Sequence, residues 1–302
     1  MKHTFHTCDV FTDVRFGGNP LAVVLGADDL TSQQMQNVAR EFNLSETIFV
    51  QAPQDKANSA RVRIFLPKGE LPFAGHPTIG CSCLLAWLSQ KGEDDFETDI
   101  KLEENAGLVP VNVKAENGNL FGQLVAPGTP KIFKRTTDHS LIAAGLSLNT
   151  DDIGFDGHAA QAIESNGSII LFVPVKNLAA QSTIKISNSA LEEAQTKAGA
   201  RSTVVYTRGG MQEGAEFSMR NFSLSEGIPE DPATGSAAAM FPEQIVEFEN
   251  LGEGTHTWCV EQGVDMGRPS KLFLEADRQD NHFTQIRVGG GTVFVSSGEI
   301  EI

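Results

Sequence analysis

The sequence contains few cysteines and no long apolar run. Its 302 residues include four cysteines, Cys8, Cys81, Cys83 and Cys259, and no two of them form a Cys-x-x-Cys pair. Scattered thiols of this kind argue against a disulfide framework and against a paired metal-ligand motif. No apolar run approaches the ~20 residues that cross a bilayer, and the N-terminus lacks the apolar core of a signal peptide. These absences predict a cytoplasmic protein with reduced thiols.

The sequence is also poor in basic residues. It has 23 Lys and Arg residues against 39 Asp and Glu residues, which gives a formal net charge of −16. Such a surface repels nucleic acid phosphates and anionic membranes, so both classes of partner are disfavoured. An anionic substrate would need local basic groups or helix N-termini to overcome this charge.

The length of the chain allows two domains, each with its own core. Hydrophobic residues make up 40% of the sequence and charged residues 21%, which is ordinary for a globular protein. A turn-rich link at residues 127–130, Pro-Gly-Thr-Pro, follows a predicted strand. We therefore predict an N-terminal domain over residues 1–128 and a second domain that begins at residue 129.

A short pattern occurs twice, within Leu71–Gly80 and within Gly227–Ser236. In each copy a polar residue precedes a proline, and a glycine follows that proline three positions later. The fixed φ of proline and its missing N–H suit the first position of a helix. Each copy therefore predicts a helix start, with His76 or Asp231 as the N-cap. The repetition predicts two similar halves.

The two predicted caps differ in quality. Aspartate is a strong N-cap and histidine is a poor one, so His76 needs another reason to stand there. Two helix starts with free N–H groups, each beside a titratable residue, would bind a carboxylate well if they faced each other. His76 and Asp231 are therefore candidate functional residues.

Other patterns define elements around these two motifs. Thr31 and Gln34 have the spacing of a capping box and predict a helix that ends near Asn43. Glu46 lies where this helix gives way to a β-branched strand, and the pattern alone fits either a solvated acid or a functional one. Pro242 falls inside the helix predicted after the second motif and is expected to kink or end it.

Five stretches of the chain closely resemble the PhzF phenazine-biosynthesis-like family, and they occur in the order of that family. They are Gly17–Val23, Phe42–Thr47, Pro72–Thr78, Glu230–Ser236 and Gly267–Ser270. The closing stretch Arg287–Glu299 also resembles the end of the family. Five co-linear motifs are specific for a family and much less specific for a substrate.

The resemblance implies an α+β fold of the diaminopimelate epimerase type. Such a fold has two pseudo-symmetric domains, each a curved and mostly antiparallel sheet around a central helix, with the active site in the cleft between them. The last strand, about residues 287–302, would complete the first domain, and residues 129–286 would form the second. Each central helix would begin at one of the two repeated motifs.

The resemblance also implies the roles of the site residues. Glu46 would be the general acid/base that moves a proton, because a carboxyl shielded from water can accept a proton and return it. His76 and Asp231 would bind the substrate and assist proton movement. Three further residues would bind the substrate: Gly75, Gly235 and Ser236. The reaction would need no cofactor and no metal, and members of the family commonly form homodimers.

The leading hypothesis is thus a cofactor-independent isomerase of a small cyclic or unsaturated carboxylate. An amino-acid epimerase or racemase of the same superfamily would use two cysteines. Here Ala74 stands at the first of these positions and the second motif has no thiol, so Cys81 or Cys83 would have to be recruited. The third hypothesis is a metabolite-binding or interaction protein that kept the cleft without turnover.

Overall fold

The computed structural model describes residues 1–91, 93–135 and 138–302, with residue 226 described by its backbone. The chain forms two compact units. One consists of Met1–Val125 together with Val288–Ile302, and the other of Ala126–Arg287.

The first unit mixes strands with two helices. In chain order its elements are β1 (Lys2–Val10), β2 (Asn19–Val24), α1 (Ser32–Phe42), β3 (Glu46–Gln51), β4 (Ala60–Leu66), β5 (Gly69–Leu71), α2 (Gly75–Ser89), β6 (Phe96–Glu104), β7 (Gly107–Glu116) and β8 (Asn119–Val125). The strands pair antiparallel except at two places, where β2 lies parallel to β3 and β4 parallel to β6. Each parallel pair is joined through a helix, as parallel strands require.

The second unit has the same kinds of element. They are β9 (Lys131–Arg135), α3 (His139–Leu146), β10 (Gln161–Ser165), β11 (Ser168–Pro174), α4 (Leu178–Ser182), α5 (Asn188–Ala198), β12 (Ser202–Arg208), β13 (Phe217–Ser223), β14 (Ile228–Asp231), α6 (Gly235–Glu249), β15 (Gly254–Gln262) and β16 (Ser270–Gln279). The last strand, β17 (His282–Glu301), begins in this unit and continues into the first from Val288 onward. Short 3-10 turns lie at Thr150–Asp152, Leu224–Glu226 and Val264–Met266.

The strand pairing of the first unit recurs in the second. There β11 pairs parallel with β12, and α5 lies between them in the chain. Likewise β13 pairs parallel with β15, and α6 lies between them in the chain. A short strand leads into the long helix in both cases, β5 into α2 and β14 into α6. The predicted α+β fold with two similar halves is therefore confirmed.

The end of the chain belongs to the first unit. Residues 292–301 of β17 pair antiparallel with β1, from Lys2 opposite Glu301 to Val10 opposite Thr292. This segment gives β1 a second neighbour beside β2. The C-terminus therefore lies beside the N-terminus in the same unit.

The repeat has a different register from the one predicted. Helix α2 begins at Gly75 with Ala74 as its N-cap residue, and α6 begins at Gly235 with Thr234 as its N-cap residue. The prediction that His76 and Asp231 are N-caps is wrong. His76 is the second residue of α2.

The matching segments are instead Pro72–His76 and Pro232–Ser236, each of which reads Pro-x-x-Gly followed by a polar residue. Asp231 is the last residue of β14, and Pro232 lies in the loop before the helix. The repeated sequence pattern matches Pro77 with Pro232, but the two prolines differ in structure. Pro77 is inside α2, whereas Pro232 precedes α6.

Pro242 does not end the second long helix. Helix α6 continues through Pro242 to Glu249, although a proline removes one backbone donor from the helix interior. Phe241, Pro242 and Ile245 are all buried. The burial of this apolar turn outweighs the local cost of proline, which is the usual way that tertiary packing overrides propensity.

The capping box that was predicted before α1 is confirmed. The Thr31 hydroxyl accepts a hydrogen bond from the backbone N–H of Gln34 at 3.3 Å, and the Gln34 side chain accepts one from the Thr31 N–H at 3.0 Å. Leu30 and Met35, on either side of this turn, are buried. The reciprocal bonds fix where α1 begins.

Two further features bear on the class of protein. The four cysteines are free thiols, and three of them are buried. Among the described residues, no helix combines the length and the hydropathy that crossing a membrane would require.

Helix α2 lies close to the sheet of the first unit because a glycine faces β1 and β2. A Cβ at Gly80 would stand 2.7 Å from a methyl of Val10 and 2.8 Å from one of Leu21. It would also approach the Cys8 sulfur to 3.2 Å. The absence of a side chain at Gly80 therefore sets the depth at which α2, and with it the His76 turn, sits on the strands.

Replacing Gly80 with alanine should destabilise the protein by about 1 kcal/mol. Overpacking a core costs roughly 1–3 kcal/mol, and the better helix propensity of alanine offsets about 1 kcal/mol of it. Gly69→Ala is the matched control, because a Cβ there has nothing within 4 Å. Urea unfolding of both variants measures the difference, and equal stabilities would contradict this account of the packing.

Candidate functional site

Glu46 is the first residue of β3. Helix α1 ends at Phe42, and its C-cap residue Asn43, with a left-handed φ of 50°, turns the chain out of the helix. The strand then begins beside β2, where Glu46 stands opposite Leu21 in the parallel pairing. The Glu46 side chain is 12% exposed. A carboxyl is thereby held at a strand start with little contact with water.

His76 faces Glu46 from the first turn of α2. Its Nε2 lies 3.4 Å from Oε2 of Glu46, and the histidine side chain is 4% exposed. The ring also forms a hydrogen bond with the backbone of Pro20, at the start of β2. Burial lowers the pKa of His76 to about 3, and the Pro20 bond opposes this in part. The imidazole is therefore neutral at ordinary pH.

The start of α2 carries no side-chain cap in the part of the chain that the structure describes. Its N-cap residue is an alanine, so the N–H groups of Gly75 and His76 receive no side-chain oxygen. The start of α6 is built in the same way, with Gly235 and Ser236 in the corresponding positions. Uncapped helix N-termini attract anions, because their donors and the helix dipole both favour negative charge.

Asp231 lies at the end of β14, just before α6. One of its carboxylate oxygens, Oδ2, accepts a hydrogen bond from the hydroxyl of Thr234 at 2.5 Å. That hydroxyl oxygen in turn accepts hydrogen bonds from the side-chain amides of Asn221 and Gln262, both at 3.0 Å. Two donors on the oxygen leave the hydroxyl hydrogen for Asp231, so the direction of this bond is fixed.

Gln262 holds the loop between β14 and α6. Its Nε2 donates to the backbone carbonyl of Asp231 at 2.7 Å, and its Oε1 accepts from the backbone N–H of Thr234 at 3.1 Å. The Gln262 side chain is 2% exposed. A buried amide thus binds both ends of the loop that places Asp231 beside the start of α6.

The structure groups the predicted site residues into two clusters. Glu46, His76 and Gly75 lie together in the first unit, at the starts of β3 and α2. Asp231, Gly235 and Ser236 follow one another around the start of α6 in the second unit.

Several residues that shape these clusters were missed by the sequence reasoning. They are Pro20, Thr78, Glu104, Thr234 and Gln262. The sequence pattern indicates one of them, Glu104. Ile100, Leu102 and Glu104 alternate along β6 on its buried face. An acid at the third of these positions is unusual for a core face and marks a residue with a special environment.

The cysteines are placed unfavourably for thiol chemistry. Cys81 and Cys83 are buried on α2, beyond its first turn, and burial raises the pKa of both thiols. A buried thiol with a raised pKa supplies little of the reactive thiolate. Within residues 1–91, 93–135 and 138–302, no group of three His, Cys, Asp or Glu side chains converges as a metal site.

Comparison with known proteins identifies the family. The family model described as phenazine biosynthesis-like protein matches residues 8–298. A protein of Schizosaccharomyces pombe named antisense-enhancing sequence 1 is 52% identical over 99% of this chain and 98% of its own length. The trans-2,3-dihydro-3-hydroxyanthranilate isomerase of Pseudomonas chlororaphis is 32% identical over 99% of both chains. Other curated relatives are also named isomerases, without an assigned reaction.

A solved structure has the same fold. The phenazine biosynthesis protein of the PhzF family from Bacillus anthracis superposes with a TM-score of 0.87, at 24% identity and with 100% of both chains covered. The fold that the sequence resemblance implied is thereby confirmed. The chain belongs to the PhzF-like phenazine-biosynthesis family, and it is an isomerase of that family.

Proposed function

We propose that this isomerase moves a proton on a small cyclic or unsaturated carboxylate, with Glu46 as the general acid/base and without a cofactor. The observation that carries the proposal is the pairing of Glu46 with a buried histidine at 3.4 Å. Shifting a proton along a conjugated system requires one positioned group that takes the proton from one carbon and returns it to another. Glu46 has the chemistry and the shielding for this task.

The neutral state of His76 supports this role for Glu46. Proline has no N–H, so the Pro20 backbone group that binds the ring is its carbonyl, and the imidazole donates to it. Nε2 faces Glu46, which assigns the donated N–H to Nδ1. In this tautomer Nε2 carries the lone pair, 3.4 Å from Oε2 of Glu46. It can accept a hydrogen bond from Glu46 once that group has taken up the substrate proton, and it thereby stabilises the acid between the two transfers.

The two uncapped helix starts support a carboxylate substrate. A protein of net charge −16 repels anions at long range, so binding one requires local donors. The backbone N–H groups at the starts of α2 and α6, including those of Gly75, Gly235 and Ser236, provide them without a basic side chain. We therefore assign these residues to substrate binding.

Asp231 is proposed as a second proton-handling and substrate-binding group. Its Oδ2 is held by the Thr234 hydroxyl, and its backbone carbonyl is held by Gln262. A residue whose carboxylate and backbone are each held by a hydrogen bond is oriented before a substrate arrives, which is what a positioned acid/base needs. The relative from Pseudomonas chlororaphis suggests the first substrate to test, trans-2,3-dihydro-3-hydroxyanthranilate.

Replacing Glu46 with glutamine should reduce turnover by about 10²–10⁴-fold, the usual contribution of a general acid/base. The amide keeps the shape of the side chain but cannot take up a proton, so substrate binding should persist. Proton NMR of trans-2,3-dihydro-3-hydroxyanthranilate in deuterated water measures the incorporation of deuterium at a ring carbon. We expect incorporation with the wild type and its loss with Glu46→Gln.

Glu41→Gln is the matched control for this experiment, because Glu41 is an exposed acid on the last turn of α1. It should exchange deuterium like the wild type. Binding of the substrate without any exchange by the wild type would favour the alternative of a metabolite-binding protein. Full exchange by Glu46→Gln would remove Glu46 from the mechanism.

His76 should remain neutral, with its proton on Nδ1, throughout the range from pH 5 to pH 8. This follows from a pKa that burial lowers to about 3 and from the bond to the Pro20 carbonyl. Nitrogen-15 NMR of the histidine side chains reports both the charge and the tautomer, and His76→Gln identifies the signal. Protonation of His76 within this range, or a proton on Nε2, would contradict the proposed role.

A further inference from the structure

The turn between β6 and β7 holds the loop that leads into α2. Nδ2 of Asn105 donates to Oε1 of Glu70 at 2.8 Å, and the backbone N–H of Ala106 donates to the carbonyl of Pro72 at 3.0 Å. The third contact comes from Glu104, the last residue of β6, which reaches the first turn of α2. These contacts bind the loop from β5 to the start of α2 at successive points.

The contact of Glu104 has a definite proton balance. The hydroxyl oxygen of Thr78 lies 2.6 Å from the carbonyl oxygen of Ala74 and 2.6 Å from Oε1 of Glu104. The hydroxyl has one hydrogen, and a carbonyl has none to give. If both contacts are hydrogen bonds, Thr78 donates to Ala74 and Glu104 donates to Thr78. An ionised Glu104 would have to share this one hydrogen with the Ala74 carbonyl, whereas a neutral carboxylic acid gives each contact its own hydrogen, so the geometry favours the neutral acid.

The surroundings of Glu104 also favour the neutral form. The residue is 8% exposed, and its second oxygen, Oε2, has no hydrogen-bond partner among the described residues. A negative charge there would be poorly solvated, and burial raises the pKa of Glu104 to about 8.

The neighbouring ionisable groups do not compensate such a charge. Cys81 of α2 interacts electrostatically with Glu104, and its own pKa is raised. Glu103 on the same strand accepts from the backbone N–H groups of Gln54 and Asp55 instead. On β5, Glu70 is paired with Arg63 of β4.

The internal repeat provides an independent argument. Strand β15 is nine residues long like β6, and it ends at Gln262 as β6 ends at Glu104. Each strand follows the long helix of its unit, and each final side chain binds the segment at the start of that helix. In the second unit this position carries an amide, which is neutral at every pH and donates through Nε2 to Thr234. A protonated Glu104 is the closest acidic equivalent of that amide.

We propose that Glu104 is a positioning residue that acts as a neutral acid, fastening the start of α2 and hence His76 through Thr78, and that its ionisation loosens this turn at alkaline pH. On ionisation the proton leaves to solvent. The Thr78 hydroxyl then turns its hydrogen to the carboxylate, and the hydroxyl bond to the Ala74 carbonyl is lost. The consequence for catalysis rests on the proposed function, whereas the proton balance and the loosening of the turn do not.

The first test follows the backbone of the turn directly. In ¹H–¹⁵N NMR of the full chain, the amide signals of Gly75 and His76 should shift with a midpoint at about pH 8. The shift should persist in Thr78→Ser, which keeps the hydroxyl, and should disappear in Glu104→Gln, which cannot ionise. Titration of these amides in Glu104→Gln, or no titration in the wild type, would overturn the proposal.

Stability gives a second readout that needs no substrate. A raised pKa in the folded state means that the stability contributed by Glu104 is present below its ordinary pKa of 4.5 and is lost as the pH rises through about 8. The urea midpoint of the wild type should therefore fall relative to that of Glu104→Gln across this range. Glu97→Gln, the same change at an exposed position of β6, is the control and should run parallel to the wild type. Parallel curves for Glu104→Gln would overturn the proposal.

The third readout tests the catalytic consequence. With trans-2,3-dihydro-3-hydroxyanthranilate, kcat/KM of the wild type should be about tenfold lower at pH 9 than at pH 7, as one ionisation near pH 8 requires. Glu104→Gln should lack this alkaline loss. The same loss in both proteins would remove Glu104 from control of the site. If the substrate is not turned over at all, the proposed function fails, while the amide titration and the urea midpoints still decide the role of Glu104.

Discussion

The long helices α2 and α6 both begin at a glycine without a side-chain cap, and much of the local architecture follows from this arrangement. A helix start leaves backbone N–H groups that need partners, and most helices satisfy them with a serine, threonine or aspartate at the N-cap. Here the N-cap residues are Ala74 and Thr234, and the Thr234 hydroxyl is directed to Asp231 instead. The N–H groups are thereby kept for another acceptor. An arrangement that forgoes local stabilisation in this way fits a site that binds an anion.

Because the caps are missing, the helix starts must be held by other elements. In the second unit the holding residue is Gln262, whose amide binds both sides of the loop before α6. In the first unit the turn after β6 does this through backbone and side-chain contacts to Pro72, Glu70 and Thr78. The strand that follows each long helix thus returns to fix where that helix began. The position of each helix start therefore depends on the strand that follows the helix, and through that strand on the packing of the sheet.

Burial sets the protonation states of two groups near the start of α2. His76 would be a mixed population of charged and neutral rings in water at pH 6–7, but its burial keeps it neutral. Glu104 would be ionised in water at neutral pH, but its burial favours the acid. His76 belongs to the first turn of α2 and Glu104 contacts Thr78 of the same turn, and neither pKa shift depends mainly on a neighbouring charge. Desolvation is therefore the main cause of the pKa shifts of these two groups.

The sequence by itself determined the fold class, the family and the identity of the central motifs. The capping box at Thr31 and the alternation of the strands are local patterns, and local patterns survive in the folded protein. The same reasoning misplaced both helix starts, because His76-Pro77 and Asp231-Pro232 look alike although one lies inside a helix and the other before it. It also overestimated the helix-breaking effect of Pro242, because burial of the neighbouring residues outweighs the local cost of the proline.

Only the tertiary structure decided that Glu46 meets His76, that Pro20 fixes the imidazole, and that Glu104 and Gln262 hold the helix starts. These contacts join residues from different strands and helices, and their protonation depends on burial, so no short-range pattern in the sequence could contain them.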